Sequence, residues 1–175
     1  MKILTLDVES TIYKYQGERK STDRRGHPMS TNNFMVSLAM LPSDCDMLWY
    51  YREFDVATIQ KLIDGADIVV GHNIKFDFHW LLNIGIDVYN IQQVWDTMLA
   101  EHMINNQKAE SLKLRDVLLK YNLNPKLDVV ENEYWNKCID TDEIPESILR
   151  EYNEYDVAGT YAVFKRQAAY FGVVL

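Results

Sequence analysis

KILTLDVES, residues 2–10, decides how the rest of the chain is read. Its β-branched and apolar residues predict a buried strand over residues 2–8. Side chains alternate along a strand, so Asp7 and Glu9 leave one face while Leu6 and Val8 leave the other. Two acids side by side on one face of a central strand are costly to desolvate unless a cation joins them. They therefore mark a candidate site rather than a surface.

Two further stretches carry acids that could complete it. HNIKFDFHWLL, residues 72–82, places Asp77 in the first turns of a helix between Phe76 and Phe78. The aspartate favours the helix N-terminal dipole there, and Asn73 four residues earlier is placed to tie down the turn or touch a substrate. LREYNEYDVAGTY, residues 149–161, sets Tyr152 and Asp156 on one helix face at i and i+4. Four carboxylates with no thiolate suit hard divalent ions, magnesium or manganese, and the tyrosine hydroxyl suits a water beside them. The expectation is a two-metal phosphodiester hydrolase with Asp7, Glu9, Asp77 and Asp156 as metal ligands. The histidines lack the paired spacing of a zinc site: His72 and His79 are seven apart and no CxxC accompanies them.

Working outward from the first strand, strands are expected over residues 32–40 and 46–51, joined by a turn at Pro42, Ser43 and Asp44. A helix should start after an Asp55 cap and stop at Gly65, followed by a strand over 67–71 and a helix over 74–84. A strand near 91–95 leads into a helix at Thr97, with another helix over 111–120. The last helix should begin near Pro145 and run to about Phe171, with Ile148, Tyr152, Tyr155 and Ala162 along one side. This order predicts an α/β domain of ribonuclease H-like type. Its mixed sheet would be a three-strand antiparallel meander extended by parallel strands and flanked by helices, with residues 1–175 as a single domain.

The net charge of −8 over 175 residues excludes a basic nucleic-acid coat protein but not an enzyme that grips a few nucleotides. Charge is uneven: residues 14–25 carry five basic and two acidic groups, residues 126–156 three basic and ten acidic. A basic segment after the strand of Asp7 and Glu9 is placed to guide a phosphate backbone, and Arg24 and Arg25 are its candidate contacts. No run of about 18 apolar residues predicts a membrane span. Cys45 and Cys138 are read as packing residues of an intracellular protein. With no signal peptide at the N-terminus, the expected location is the cytoplasm, that of the host if the source is viral.

These motifs resemble the DEDD, or DnaQ-like, superfamily of 3′–5′ exonucleases. LDVES resembles the first exonuclease motif, HNIKFD the second (Asn-x-x-Phe-Asp) and YNEYD the third in its tyrosine form. WDTMLAEHMI with SLKLRDVLLKYNL, and YWNKCIDTDEIPESILREY before the third motif, extend the likeness over nearly the whole chain. It is closest to the proofreading exonuclease domains of family A DNA polymerases, including those of bacteriophages.

The resemblance implies metal-dependent removal of 5′-monophosphates from DNA 3′ ends, single-stranded or frayed ends being preferred. It also implies a place in DNA replication and proofreading, beside a separately encoded DNA polymerase as partner. One metal would be held by Asp7, Glu9 and Asp156 and a second by Asp7 and the substrate. Asp77 would complete the cluster and Tyr152 would orient the water. Main-chain groups at Val8, Ser10 and Asn73 are implied contacts of the terminal nucleotide. Two alternatives stay open: an exoribonuclease of the same superfamily, and a non-catalytic module that binds nucleic acid or a polymerase.

Overall fold

The computed structural model describes residues 1–13, 26–30, 32–45, 47–124 and 128–175. The basic segment 14–25, with Arg24 and Arg25, lies outside the described residues. Chain order is β1 (Ile3–Ser10), β2 (Met35–Pro42), β3 (Trp49–Tyr51), α1 (Val56–Asp64), β4 (Ile68–Gly71), α2 (Ile74–Asn83), β5 (Val94–Asp96), α3 (Thr97–Ile104), α4 (Leu114–Lys120), α5 (Val129–Glu133) and α6 (Glu146–Tyr170). The sheet order is β3-β2-β1-β4-β5. β1, β2 and β3 pair antiparallel, while β4 and β5 continue the sheet in parallel with β1. The mixed sheet expected from the sequence is therefore present, with the acid-bearing strand at its centre.

Alternation along β1 sorts the two layers. Leu4, Leu6 and Val8 join Leu38, Met40 and Val69 under α1 and α2, where Ile59, Ile63, Ile74, Trp80 and Leu81 close the main core. Each fully buried aliphatic side chain there contributes roughly 1.5–3 kcal/mol. Ile3 lies with Ile68 and Val70 against Phe164 and Ala168 of α6 on the opposite face. Thr5, Asp7 and Glu9 share that face by their odd numbering, which turns both acids toward α6.

Local chemistry sets several boundaries. Asp55 caps α1 by accepting from Ala57 N and Thr58 N, as its type predicts. Gly71 is required where β4 turns into α2: a Cβ there would sit 2.7 Å from Ile74 Cγ1. β2 and β3 run later than expected, because β2 reaches Pro42 and β3 is confined to Trp49–Tyr51. α4 starts at Leu114 rather than 111, and α5 and two 3₁₀ turns (Trp135–Lys137, Thr141–Glu143) were not anticipated.

The largest correction concerns α6. Its buried stripe is Leu149, Asn153, Asp156, Val157, Thr160, Val163, Phe164, Gln167 and Ala168, not the line of Ile148, Tyr152, Tyr155 and Ala162. Four of those nine residues are polar, so apolar periodicity alone points to the wrong side. Ile148 and Tyr152 instead pack in a side cluster with Val130, Ile144, Tyr134 and Trp135.

One polar network explains part of the stripe. Glu101 of α3 is fully buried and accepts from Lys120 Nζ (2.7 Å), Tyr121 Oη (2.8 Å) and Gln167 Nε2 (3.0 Å). Gln167 also donates to Thr97 O and accepts from Trp95 Nε1. Burial pushes the Glu101 carboxyl up, but the bonds from Lys120, Gln167 and Tyr121 outweigh it and hold the group below the usual glutamate range. Three helices are thus joined by one ionised, fully partnered acid.

Candidate active site

The site is assembled from β1 and α6. Asp7 lies opposite Ala39 and Glu9 opposite Ser37 on β2, with a bulge between Glu9 and Ser10 where the strand leaves the regular ladder. α6 crosses this face and brings Asp156. One carboxylate oxygen from each of Asp7, Glu9 and Asp156 lies within 4.8 Å of the others. Three acids from distant parts of the chain, gathered so closely, are held at an electrostatic cost that a divalent cation removes. The donor set is all oxygen, which fits magnesium or manganese and not zinc.

Asp77 belongs to the same neighbourhood but plays a different part. The ladder between β1 and β4 ends at Thr5, and beyond it Val8 N donates to Asp77 Oδ1 at 2.9 Å. The Val8 N–H is thereby spent inside the protein. Asp77 is buried, and its carboxyl is raised well above the usual range by burial first and by the charge of Asp7 second, with the Val8 bond opposing. A raised folded pKa means that this group's stabilising protonation is lost as pH rises through the folded value. In the metal-free protein, Asp77→Asn keeps the oxygen that meets Val8 N and deletes the buried charge. It should raise the melting midpoint at neutral pH by about 2–8 °C, the shift for ~1–2 kcal/mol in a domain of this size. Its midpoint should also depend less on pH than that of the native sequence. A thermal melt of both forms in chelator across neutral pH checks this, and a lowered midpoint would contradict it.

Tyr152 packs edge-on to Trp135, with ring centroids 5.8 Å apart. Burial, then the charges of Glu9, Asp156 and Asp7, hold its phenol well above the ordinary tyrosine value. It therefore stays neutral beside the acids, with its hydroxyl able to donate or accept. Next to it, the fully buried Asn153 donates from Nδ2 to Asp7 Oδ2 at 2.6 Å and to Asp7 O at 3.2 Å. Ser37 Oγ donates to Asn153 Oδ1 at 3.0 Å.

The ends of β1 and α2 are pinned by two other aspartates. Asp140, fully buried, accepts from Ile12 N (2.8 Å) and Tyr13 N (3.1 Å), tying the exit of β1 to the segment before α6. Tyr13 Oη adds a bond to Trp135 O at 2.7 Å. Asp96 caps α3 and also accepts from Asn73 N at 3.0 Å. Asn73 has φ 61°, ψ 42°, the left-handed conformation that asparagine tolerates, and it turns the chain into α2.

Residues 31–166 match a family model described as 3′-5′ exonuclease, of DNA polymerase A type. The chain belongs to this exonuclease family. The matched segment contains Asp77, Tyr152 and Asp156. Asp7 and Glu9 precede it, so their place in the site comes from the geometry above.

Among solved structures, a nuclease in its apo form is similar at TM-score 0.66 and 16% identity, over 95% of this chain and 72% of that one. The family B DNA polymerase of the archaeon Pyrobaculum calidifontis is similar at TM-score 0.59 and 17% identity, over 94% of this chain. The match spans 24% of that polymerase. Brucella melitensis NrnC with bound Mg2+ is similar at TM-score 0.61 and 14% identity, over 97% of this chain and 75% of NrnC. No curated protein matches the sequence significantly. At these identities the structural likeness establishes the shared nuclease fold.

The exonuclease has a groove at the start of α2. Gly26 packs against the end of β1: a Cβ there would lie 3.1 Å from Ile12 Cγ2 and 3.2 Å from Ser10 Oγ. Gly26–Met29, with Asn73, Lys75, Phe76 and His79 of the α2 start, lines an open groove of about 720 Å³. Asn73 lines this groove and Ser10 Oγ lies close to Gly26, one of its lining residues, whereas Arg24 and Arg25 lie outside the described residues.

Asn153 and Asp140 were not singled out from the sequence. For Asn153 a signal existed: it lies three before Asp156 and four after Leu149, on the buried stripe of α6. For Asp140 there was only its place before the short turn Thr141–Glu143, whose first N–H it caps. Among the described residues, no helix is long and apolar enough to cross a membrane.

Proposed function

We propose that this exonuclease removes nucleotides from the 3′ end of DNA, with single-stranded or frayed ends preferred, and releases 5′-monophosphates. Residues 1–175 would form one catalytic domain. The observation that carries the reading is the convergence of Asp7, Glu9 and Asp156 within 4.8 Å, beside a neutral tyrosine. Two divalent cations, magnesium or manganese, held by Asp7, Glu9 and Asp156 with Asp77 behind them, would supply Lewis acidity at the scissile phosphate.

The protein's own groups do the positioning. Tyr152 would hold the attacking water by a hydrogen bond, which needs no ionisation and suits its raised pKa. The groove lined by Asn73 and Phe76, with Ser10 close behind Gly26, would take the terminal nucleotide, with the Phe76 ring available for stacking and Lys75 for a phosphate. Arg24 and Arg25 would meet phosphates further along the strand. An unpaired end is favoured because a frayed nucleotide costs less to insert. The polymerase-type family match supports a role in proofreading beside a DNA polymerase.

A second reading, an exoribonuclease acting on short oligonucleotides, is favoured by the similarity to Brucella melitensis NrnC bound to pGG, at TM-score 0.61 and 15% identity. The choice rests on contacts to the 2′-hydroxyl. End-labelled single-stranded DNA and RNA, incubated with magnesium, manganese or chelator, separate the readings. Stepwise shortening of DNA from the 3′ end, stopped by chelator, is expected. Preference for RNA would establish the second reading, and cleavage undiminished in excess chelator would remove the metal mechanism.

Tyr152→Phe tests the water-holding role. It keeps the packing on Trp135 and deletes one hydroxyl, so turnover should fall by about 10²-fold. Manganese binding, measured calorimetrically, should stay near that of the native sequence. A loss of metal affinity comparable to that of Asp7→Ala would show that Tyr152 has a different part.

A further inference from the structure

We infer that Asn153 is a positioning residue: its side-chain amide, aimed by Ser37, presets the Asp7 carboxylate for a divalent cation. The inference rests on the metal-centre reading above and adds to it a residue outside the carboxylate set.

The amide has one sensible orientation. Asp7 Oδ2, in its ionised form, only accepts, so the group facing it at 2.6 Å must be the donor Nδ2. The second proton of the same nitrogen is aimed near the Asp7 main-chain oxygen, at 3.2 Å. Oδ1 then points to Ser37, whose hydroxyl donates to it at 3.0 Å. Ser37 is on β2, directly opposite Glu9 in the ladder. The chain Ser37–Asn153–Asp7 therefore crosses β2, α6 and β1, and both Ser37 and Asn153 are fully buried.

Two consequences follow for a cation. First, the Asp7 carboxylate is held at both its main-chain and side-chain ends, so little rotamer freedom remains to be lost when a metal binds. Partners of this kind behind a ligand raise affinity because the ligand is oriented before the ion arrives. Second, the holder is neutral. A lysine or arginine at this place would hold Asp7 equally well but would cancel the negative charge that attracts the ion. An amide fixes the carboxylate and leaves its charge in place. Asn153 also lies three residues before Asp156, so one turn of α6 delivers both a ligand and the group that orients another ligand.

The test is manganese binding to the intact chain, by calorimetry and by the rise in melting midpoint with added MnCl2. Asn153→Ala should weaken Mn2+ binding about 10–100-fold, the range for partners behind a ligand. Ser37→Ala leaves the amide in place but lets it rotate, and should weaken binding in the same direction by roughly 3–10-fold, below that range. It serves as the decisive variant if Asn153→Ala does not fold. In exonuclease assays both variants should need more metal for half-maximal activity, while KM for the oligonucleotide at saturating metal stays unchanged. Affinity within about twofold of the native sequence in a folded variant would overturn the inference, since a merely structural bond would lower only the metal-free midpoint. Failure of the native chain itself to bind Mn2+ would instead overturn the metal-centre reading, and this inference with it.

Discussion

Asp7→Ala is expected to lower exonuclease turnover by at least about 10³-fold while the chain remains folded. Lewis-acid stabilisation by bound metal is worth several kcal/mol, and each 1.36 kcal/mol is a factor of ten in rate. Asp7 is tied to several parts of the site. It shares the close cluster with Glu9 and Asp156, its charge pushes Asp77 upward, and it accepts from Asn153. On the proposed metal-centre reading, removing it deletes a ligand carried by the central strand.

The effect on the metal-free fold should be small by comparison, because two terms oppose. The substitution strips the Asn153 amide of its carboxylate acceptor, which costs stability. It also relieves the repulsion that Asp7 exerts on the buried Asp77, which restores stability. Single-turnover cleavage of labelled DNA with manganese, alongside a melt in chelator, measures both. Turnover within tenfold of the native sequence would end the assignment of Asp7 as a metal ligand.

Lys120→Met should be the most destabilising exposed-side substitution, costing about 3–5 kcal/mol, or roughly 6–20 °C in melting midpoint. The Lys120 side chain is 41% exposed while that of Glu101 is fully buried, so the lysine is the partner in contact with solvent. Without it, the Glu101 carboxylate keeps Tyr121 and Gln167 but loses its counter-charge in the interior. Burial then dominates and pushes the carboxyl up.

The native protein should show the opposite sign. Its depressed Glu101 gives stability that is present above the unfolded glutamate value and lost as pH falls through the folded one. Adding Glu101→Gln to Lys120→Met should recover part of the loss, because removing both charges costs less than stranding one. Denaturant melts of the single and double variants decide it. A Lys120→Met loss below ~1 kcal/mol would mean that the pair behaves as an ordinary surface bridge.

Legibility from the sequence varied with the kind of signal. Asp7 and Glu9 could be placed because strand alternation puts their side chains opposite Leu6 and Val8 whatever the rest of the chain does. The Asp55 cap and the Gly65 stop of α1 were equally local. α6 misled because four of the nine residues in its buried stripe are polar. Asn153 and Gln167 are inside as hydrogen-bonding groups, Asp156 sits in the acid cluster and Thr160 is buried between them, so an apolar count selects the neighbouring line of Ile148 and Tyr152. β2 slipped because residues 32–34 look like strand but are used otherwise. Phe34 N and O bond to Thr11, just past the bulge that ends β1.

The sequence by itself determined the class of fold and the exonuclease family and put forward five candidate site residues, because these depend on residue type and on periods of two and four. Tertiary structure alone decided how those residues divide the work. Asp7, Glu9 and Asp156 share a cluster, while Asp77 stands behind it, spent on Val8 N and raised by burial. It also brought Ser37, Asn153 and Asp140 to the site from positions with no spacing in common. The reason is physical: hydrogen-bond partners and desolvation depend on what lies within a few ångströms in space, and over separations of 116–146 residues the chain order carries no information about that.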